Sequence, residues 1–158
     1  MQVKPDWKNP IHLLAFGFGS GAAPKAPGTF GTLAGGILYL LLLAQLSVSY
    51  YLLVLIIATL AGIYICGKTA SDIGVHDHGG IVWDEFVGMW ITLLWVPAGW
   101  GWLAVGFLLF RLFDIVKPWP IRWLDQHVHG GWGIMLDDIV AGIMALACLQ
   151  MLAAVISV

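Results

Sequence analysis

The chain has 158 residues, 60% of them hydrophobic and 10% charged, with a mean hydropathy of +0.90. That balance lies outside ordinary soluble domains, and the length fits a single domain over residues 1–158. The net charge of −2 is too small to point to nucleic acid or to an acidic partner.

The first ten residues hold Lys4, Pro5, Asp6, Lys8 and Pro10, so no cleavable signal peptide is expected. The segment from Gly17 to Thr32 is rich in glycine and proline (GFGSGAAPKAPGTFGT) and leads into an apolar run, with Thr29 or Thr32 as candidate helix caps. Backbone amides at such a helix start favour phosphate, and Lys25 adds a positive charge. The string matches neither a P-loop nor a dinucleotide fingerprint. An anion-binding loop and a plain re-entry turn both remain open for it.

Apolar runs follow at residues 33–46, 50–66, 86–110 and 139–158. A full crossing needs about 20 apolar residues, so the first two are short. The third is interrupted by Pro97-Ala98-Gly99-Trp100-Gly101, which ends one helix and begins a turn. Read as a helical hairpin, it brings the residues around Asp84 and those around Asp114 to the same side. The basic residues support that reading. The 47–49 turn, the 97–101 turn and the C-terminus carry none of the seven, which are Lys4, Lys8, Lys25, Lys68, Arg111, Lys117 and Arg122. The positive-inside rule makes their shared side cytoplasmic. Nine tryptophans, many near the ends of apolar runs, fit an interfacial aromatic belt. The expected fold is therefore all-α: an integral-membrane bundle of about five to six helices, some entering the bilayer without crossing it, with the charged motifs on one cytoplasmic face. Cys66 and Cys148 lie within apolar runs and read as small buried hydrophobes.

Eight of the nine carboxylates fall between Asp72 and Asp138. Several abut apolar runs, where an unpaired charge costs several kcal/mol. Asp84 and Glu85 open one apolar helix and Asp137 and Asp138 another, with Asp114 near the end of a third. Helix capping accounts for one acid at each start, less well for two plus Asp77. Oxygen-rich clusters suit Mg²⁺ or Mn²⁺, which argues against reading His76 and His78 as zinc ligands. Arg111, Asp114 and Lys117 recur every three residues on one helix face, as an ion-pair ladder or as a phosphate-facing set.

Four strings occur in order: Gly19-Ser20-Gly21…Pro24…Ala26-Pro27-Gly28-Thr29, Ile81-Val82-Trp83-Asp84-Glu85, Phe110-Arg111…Phe113-Asp114…Lys117-Pro118…Pro120-Ile121, and Gly133-Ile134-Met135…Asp137-Asp138…Ala141-Gly142. Together they resemble the phosphatidylglycerophosphatase A family, over roughly residue 9 to the final helix. The resemblance implies an all-helical, Mg²⁺-dependent lipid phosphatase of the bacterial inner membrane. Its cytoplasm-facing site would act on a phospholipid, converting phosphatidylglycerophosphate to phosphatidylglycerol.

Other phosphatase chemistries find no signature here. Cys66 is not followed by an arginine at the sixth position, Asp-x-Asp occurs nowhere, and there is no Ser-Gly-His. Water attack assisted by metal or by a carboxylate base is favoured, and a transient acyl phosphate on an aspartate stays open. The expected roles are metal ligation by Asp84, Glu85, Asp137 and Asp138, with Asp114 a further ligand or an orienting group. Asp77 is the candidate general base. Arg111 and Lys117 would bind phosphate, helped by Lys25 and the amides of Gly28 and Thr29. Asp125 is expected to be dispensable. The rival classes are an ion or metal transporter with a carboxylate-lined site, and a membrane scaffold. The acids lie at helix mouths rather than mid-span, which disfavours the transporter.

Overall fold

The structure, a computed structural model, describes residues 4–75 and 78–156. Among them there are seven α-helices and no strand. They are α1 (Pro10–Ala15), α2 (Pro27–Leu38), α3 (Val48–Ile73), α4 (Trp83–Thr92), α5 (Trp100–Val116), α6 (Ile121–His127) and α7 (Gly130–Ile156). Set against the five or six expected, the difference lies in α1 and α6, of six and seven residues, too short to leave a hydrophobic run in the sequence.

Local chemistry accounts for most helix boundaries. Asn9 caps α1, its side chain accepting from the Ile11 amide at 3.0 Å, and Pro10 takes the first position, where no N–H is needed. A short 3₁₀ stretch, Gly17–Ala22, then turns the chain through left-handed backbone at Phe18 and Gly19. Pro27 opens α2, but neither threonine caps it. The cap position is Ala26, itself left-handed at φ 48°, and the Thr32 hydroxyl donates back to Gly28 O at 2.8 Å. A wide π turn, Tyr39–Leu43, carries α2 onward, so most of the first apolar run lies in a continuous helix of 17 residues, Pro27–Leu43. Gly74, at φ 75°, ends α3 in the left-handed conformation that glycine adopts at no steric cost.

The break at Pro97–Gly101 produces the expected hairpin. Helices α4 and α5 run antiparallel, with Gly88 against the Phe110 ring at one end and Gly106 against Leu93 at the other. Helix α4 is wedged among α2, α3, α5 and α7, and every residue from Asp84 to Trp90 is buried. Between its two acids and Thr92 the helix is apolar all round, and such a helix is buried. Missing side chains let its neighbours approach closely. A Cβ on Gly142 of α7 would lie 2.5 Å from Gly88 O, and one on Gly35 of α2 would lie 3.1 Å from the Phe86 Cα. Polar atoms of the aromatic core are partnered: Trp90 Nε1 donates to Gly35 O at 2.9 Å, Trp83 Nε1 to Ala58 O at 3.0 Å and Tyr51 OH to Trp90 O at 2.7 Å. Cys66 is wholly buried, Cys148 is half-buried, and both are free thiols.

Helices α3 and α7, of 26 and 27 residues, are each long and apolar enough to cross a membrane. Only 28% of the most apolar window of each is buried inside the protein. Leu53, Ile56, Ile57, Leu60, Ile143 and Met151 instead face outward, which a water-soluble helix bundle would avoid.

Candidate active site

Four helix ends meet at one end of the bundle: the starts of α2, α4 and α7 and the end of α5. The first turn of α4 supplies Asp84 and Glu85, without a side-chain cap, so both acids are left to project from the helix start. Asp137 and Asp138 do not open their helix as expected: α7 already begins at Gly130, which places them in its third turn, and the last turns of α5 supply Arg111 and Asp114. Lys117 follows directly after α5, in left-handed backbone at φ 45°.

Asp84, Glu85 and Asp138 converge. Each offers a carboxylate oxygen, and the three oxygens lie within 4.8 Å of one another. Their exposures are 9, 9 and 3%, low enough that water cannot disperse the charge. Asp84 Oδ1 and Glu85 Oε2 are buried without a hydrogen-bond partner. Three carboxylates from two helices, two of them with an unpartnered oxygen and with no histidine or thiol in the trio, form a donor set suited to a hard divalent cation.

The other acids are already engaged by cations. Asp114 is held in an ion pair by Arg111, one turn away on the same helix. Asp137 accepts from Lys117 Nζ at 2.8 Å, and the same ammonium donates to Asp125 at 2.8 Å. Burial works against the charge of Lys117, but its hydrogen bonds to Asp125 and Asp137 outweigh that and raise its pKa above the ordinary value. It therefore stays cationic throughout the neutral range.

Arg111 links the cluster to the glycine-rich loop. Its Nη1 lies 3.9 Å from Glu85 Oε1 and donates to Thr32 Oγ1 at 3.5 Å, while its Nε is buried without a partner. Gly28 fits against both groups. A Cβ there would stand 2.5 Å from Glu85 Oε1 and 3.2 Å from Arg111 Nη1, so glycine is what lets the loop backbone approach. Lys25, by contrast, is exposed on the loop. The Thr29 amide already donates to Ala26 O at 3.0 Å, so it is engaged in the turn that starts α2.

Asp77, the expected general base, and His76 lie outside the described residues. The nearby His78 accepts the Gly80 amide on Nδ1 at 3.0 Å, a turn-forming bond. Two contributions were missed from the sequence. One is Thr32 as the hydroxyl that meets Arg111. The other is the Gly88–Gly142 contact, which sets the approach of the two acid-bearing helices. A signal for the second was present: each acidic doublet is followed about one turn later by a glycine. A separate histidine–carboxylate contact lies apart from the cluster. His12 accepts the Asp6 amide on Nδ1 at 3.0 Å and meets Asp72 at 3.2 Å through Nε2, fastening α1 to α3 beside the Lys68–Asp72 pair.

Comparison with known proteins places this arrangement. The family model described as phosphatidylglycerophosphatase A matches residues 13–153. The chain is 56% identical over 138 residues to the Escherichia coli protein named phosphatidylglycerophosphatase A, covering 87% of this chain and 80% of that protein. It is 54% identical to the protein of the same name from Haemophilus influenzae, covering 87% of this chain and 85% of that protein. No solved structure matches the chain. The matched span contains all seven helices except the first three residues of α1 and the last three of α7, together with the acidic cluster and Arg111, and the chain belongs to the phosphatidylglycerophosphatase A family.

Proposed function

We propose that this protein is a Mg²⁺-dependent lipid phosphatase that hydrolyses the terminal phosphomonoester of phosphatidylglycerophosphate, giving phosphatidylglycerol and inorganic phosphate. The observation that carries the metal-dependent reading is the trio Asp84, Glu85 and Asp138, buried within 4.8 Å, with two carboxylate oxygens that nothing in the protein partners. The substrate comes from the family and from the names of its members. In this reading the protein is a single domain that crosses the bacterial inner membrane several times. The α4–α5 hairpin enters from the cytoplasmic face, where the basic residues gather.

Asp84, Glu85 and Asp138 would hold the cation. When bound, Mg²⁺ supplies positive charge to the phosphoryl oxygens and acidifies water. Arg111 then faces the phosphate, since its guanidinium sits beside the carboxylates and keeps one N–H unused. Asp114 holds that guanidinium in place, and Asp137 and Asp125 do the same for the Lys117 ammonium. Lys25 and the Gly28 amide face the same lipid surface as secondary contacts, and Thr29 serves through its place in the turn. Water attacks phosphorus, the bond from phosphorus to the glycerol oxygen breaks, and that oxygen takes a proton as it leaves. A carboxylate accepts the proton of the attacking water, and Asp77 is our candidate for it.

Phosphate release from phosphatidylglycerophosphate in detergent micelles, with Mg²⁺ and then with EDTA, tests the reading. Release that EDTA abolishes and Mg²⁺ restores is expected. Release indifferent to EDTA would remove the metal from the mechanism and leave the substrate. Absence of release in both conditions, from folded protein, would overturn the phosphatase and favour cation transport.

A further inference from the structure

A groove of about 320 Å³ runs between α2 and α5, within the range of small-molecule sites. Thr32, Gly36 and Leu40 line it from α2 and the π turn that continues it, Leu103 and Phe107 from α5, and Met89 of α4 contributes from between them. The α2 residues recur every four positions, and Leu103 and Phe107 continue at the same spacing to Arg111, so each wall keeps to one helix face. Both walls lead to the acidic cluster. One turn before Thr32 stands Gly28, packed against Glu85 and Arg111, and one turn beyond Phe107 stands Arg111 itself. Thr32 joins the two, donating to Gly28 O and accepting from Arg111.

The groove lining carries no charged side chain. From Thr32 to Leu40 the wall measures about 12 Å along the helix, close to the half-thickness of a bilayer's hydrocarbon core, about 15 Å. Its outer edge is formed by exposed Leu33, Ile37 and Ala104, so it is open sideways to the lipid phase. A phospholipid presents the same sequence of chemistries, a phosphate at one end and hydrocarbon below it. We infer that this groove receives an acyl chain of the phospholipid whose phosphate meets Arg111, an inference that rests on the lipid-phosphatase reading above. Gly36 keeps it open. A Cβ there would lie 3.7 Å from Met89 Cε and 3.9 Å from Leu103 Cδ1, so a larger side chain is tolerated only by filling the groove.

Two variants close the groove from different sides, Gly36→Leu from its floor and Ala104→Phe from its exposed rim. Each is assayed on dioleoyl and dihexanoyl phosphatidylglycerophosphate in mixed micelles. The KM for the dioleoyl lipid should rise at least about tenfold and that for the dihexanoyl lipid less than about twofold, with kcat little changed. An equal change for both lipids overturns the proposal. A second arm needs no turnover: dioleoyl substrate carrying a diazirine on one acyl chain is photolysed with the wild-type protein and the adducts are mapped. Label should concentrate on Leu103, Phe107 and Met89 and be displaced by unlabelled substrate but not by phosphatidylcholine. Label spread evenly to outward-facing Leu60 and Ile143, or displaced equally by phosphatidylcholine, overturns it. If phosphate release fails while groove labelling succeeds, the phosphatase reading falls and the lipid groove stands.

Discussion

The two acidic doublets look equivalent in the sequence and are treated differently by the fold. Asp84 and Glu85 sit side by side on α4, with Arg111 at 3.9 Å as the nearest cation and two of their oxygens unpartnered. Asp137 and Asp138 divide. Lys117 takes Asp137, and Asp138 turns to join the α4 pair. Neutralising one member of a doublet with a lysine leaves a trio whose excess negative charge is concentrated on the remaining three carboxylates. The placement of cations, more than the placement of acids, therefore decides which carboxylates are available for a metal.

That asymmetry can be broken. Asp138→Ala or Asp84→Ala should lower phosphate release at least about 10³-fold, the scale of losing several kcal/mol of charge stabilisation, with helical content and membrane insertion unchanged. Retention of more than about a tenth of the rate would remove that residue from the metal site. The double variant Asp84→Asn/Glu85→Gln should be equally inactive, yet metal-free protein should melt about 4 °C higher, because the crowding of three buried carboxylates is relieved. Wild type should show a Mg²⁺-dependent rise in melting temperature that vanishes in the same variant, measured by thermal unfolding with and without Mg²⁺. Arg111→Lys should cost about 10- to 100-fold in kcat/KM, because an ammonium cannot reach Asp114, Thr32 and a phosphate together. Asp137→Asn should cost only about tenfold, acting through Lys117, and a loss as deep as that of Asp138→Ala would merge the two aspartates into one role. Asp125→Asn should change activity less than about twofold, since Lys117 keeps Asp137 and Asp125 is itself well exposed.

Much of this architecture was legible because it depends on features local to the chain. The α4–α5 hairpin follows from Pro97 through Gly101, and the meeting of Asp84 and Glu85 with Arg111 and Asp114 follows from the hairpin. The helix start at residue 27 was legible from its proline, but its cap was not, since alanine rarely adopts the left-handed backbone that Ala26 takes. The division of the second doublet was also hidden. It depends on Lys117, twenty residues from Asp137, reaching across from another helix end, and neighbouring aspartates carry no mark of which one a distant ammonium will select. The short α1 and α6 escaped because six or seven residues give no periodicity to read.

Gly142 carries no chemistry of its own, yet a single methyl group there would stand 2.5 Å from the Gly88 carbonyl oxygen and force α4 and α7 apart. Those two helices carry the whole trio between them, so the missing methyl sets the spacing of the three carboxylates. Mg²⁺ holds its oxygens at about 2.0–2.1 Å and Ca²⁺ at about 2.3–2.6 Å, a difference of only a few tenths of an ångström. In the proposed reading, the ion preference of the site is therefore written in a residue that never touches the ion. A shift from magnesium towards calcium would be the trace of a changed glycine, with every carboxylate intact.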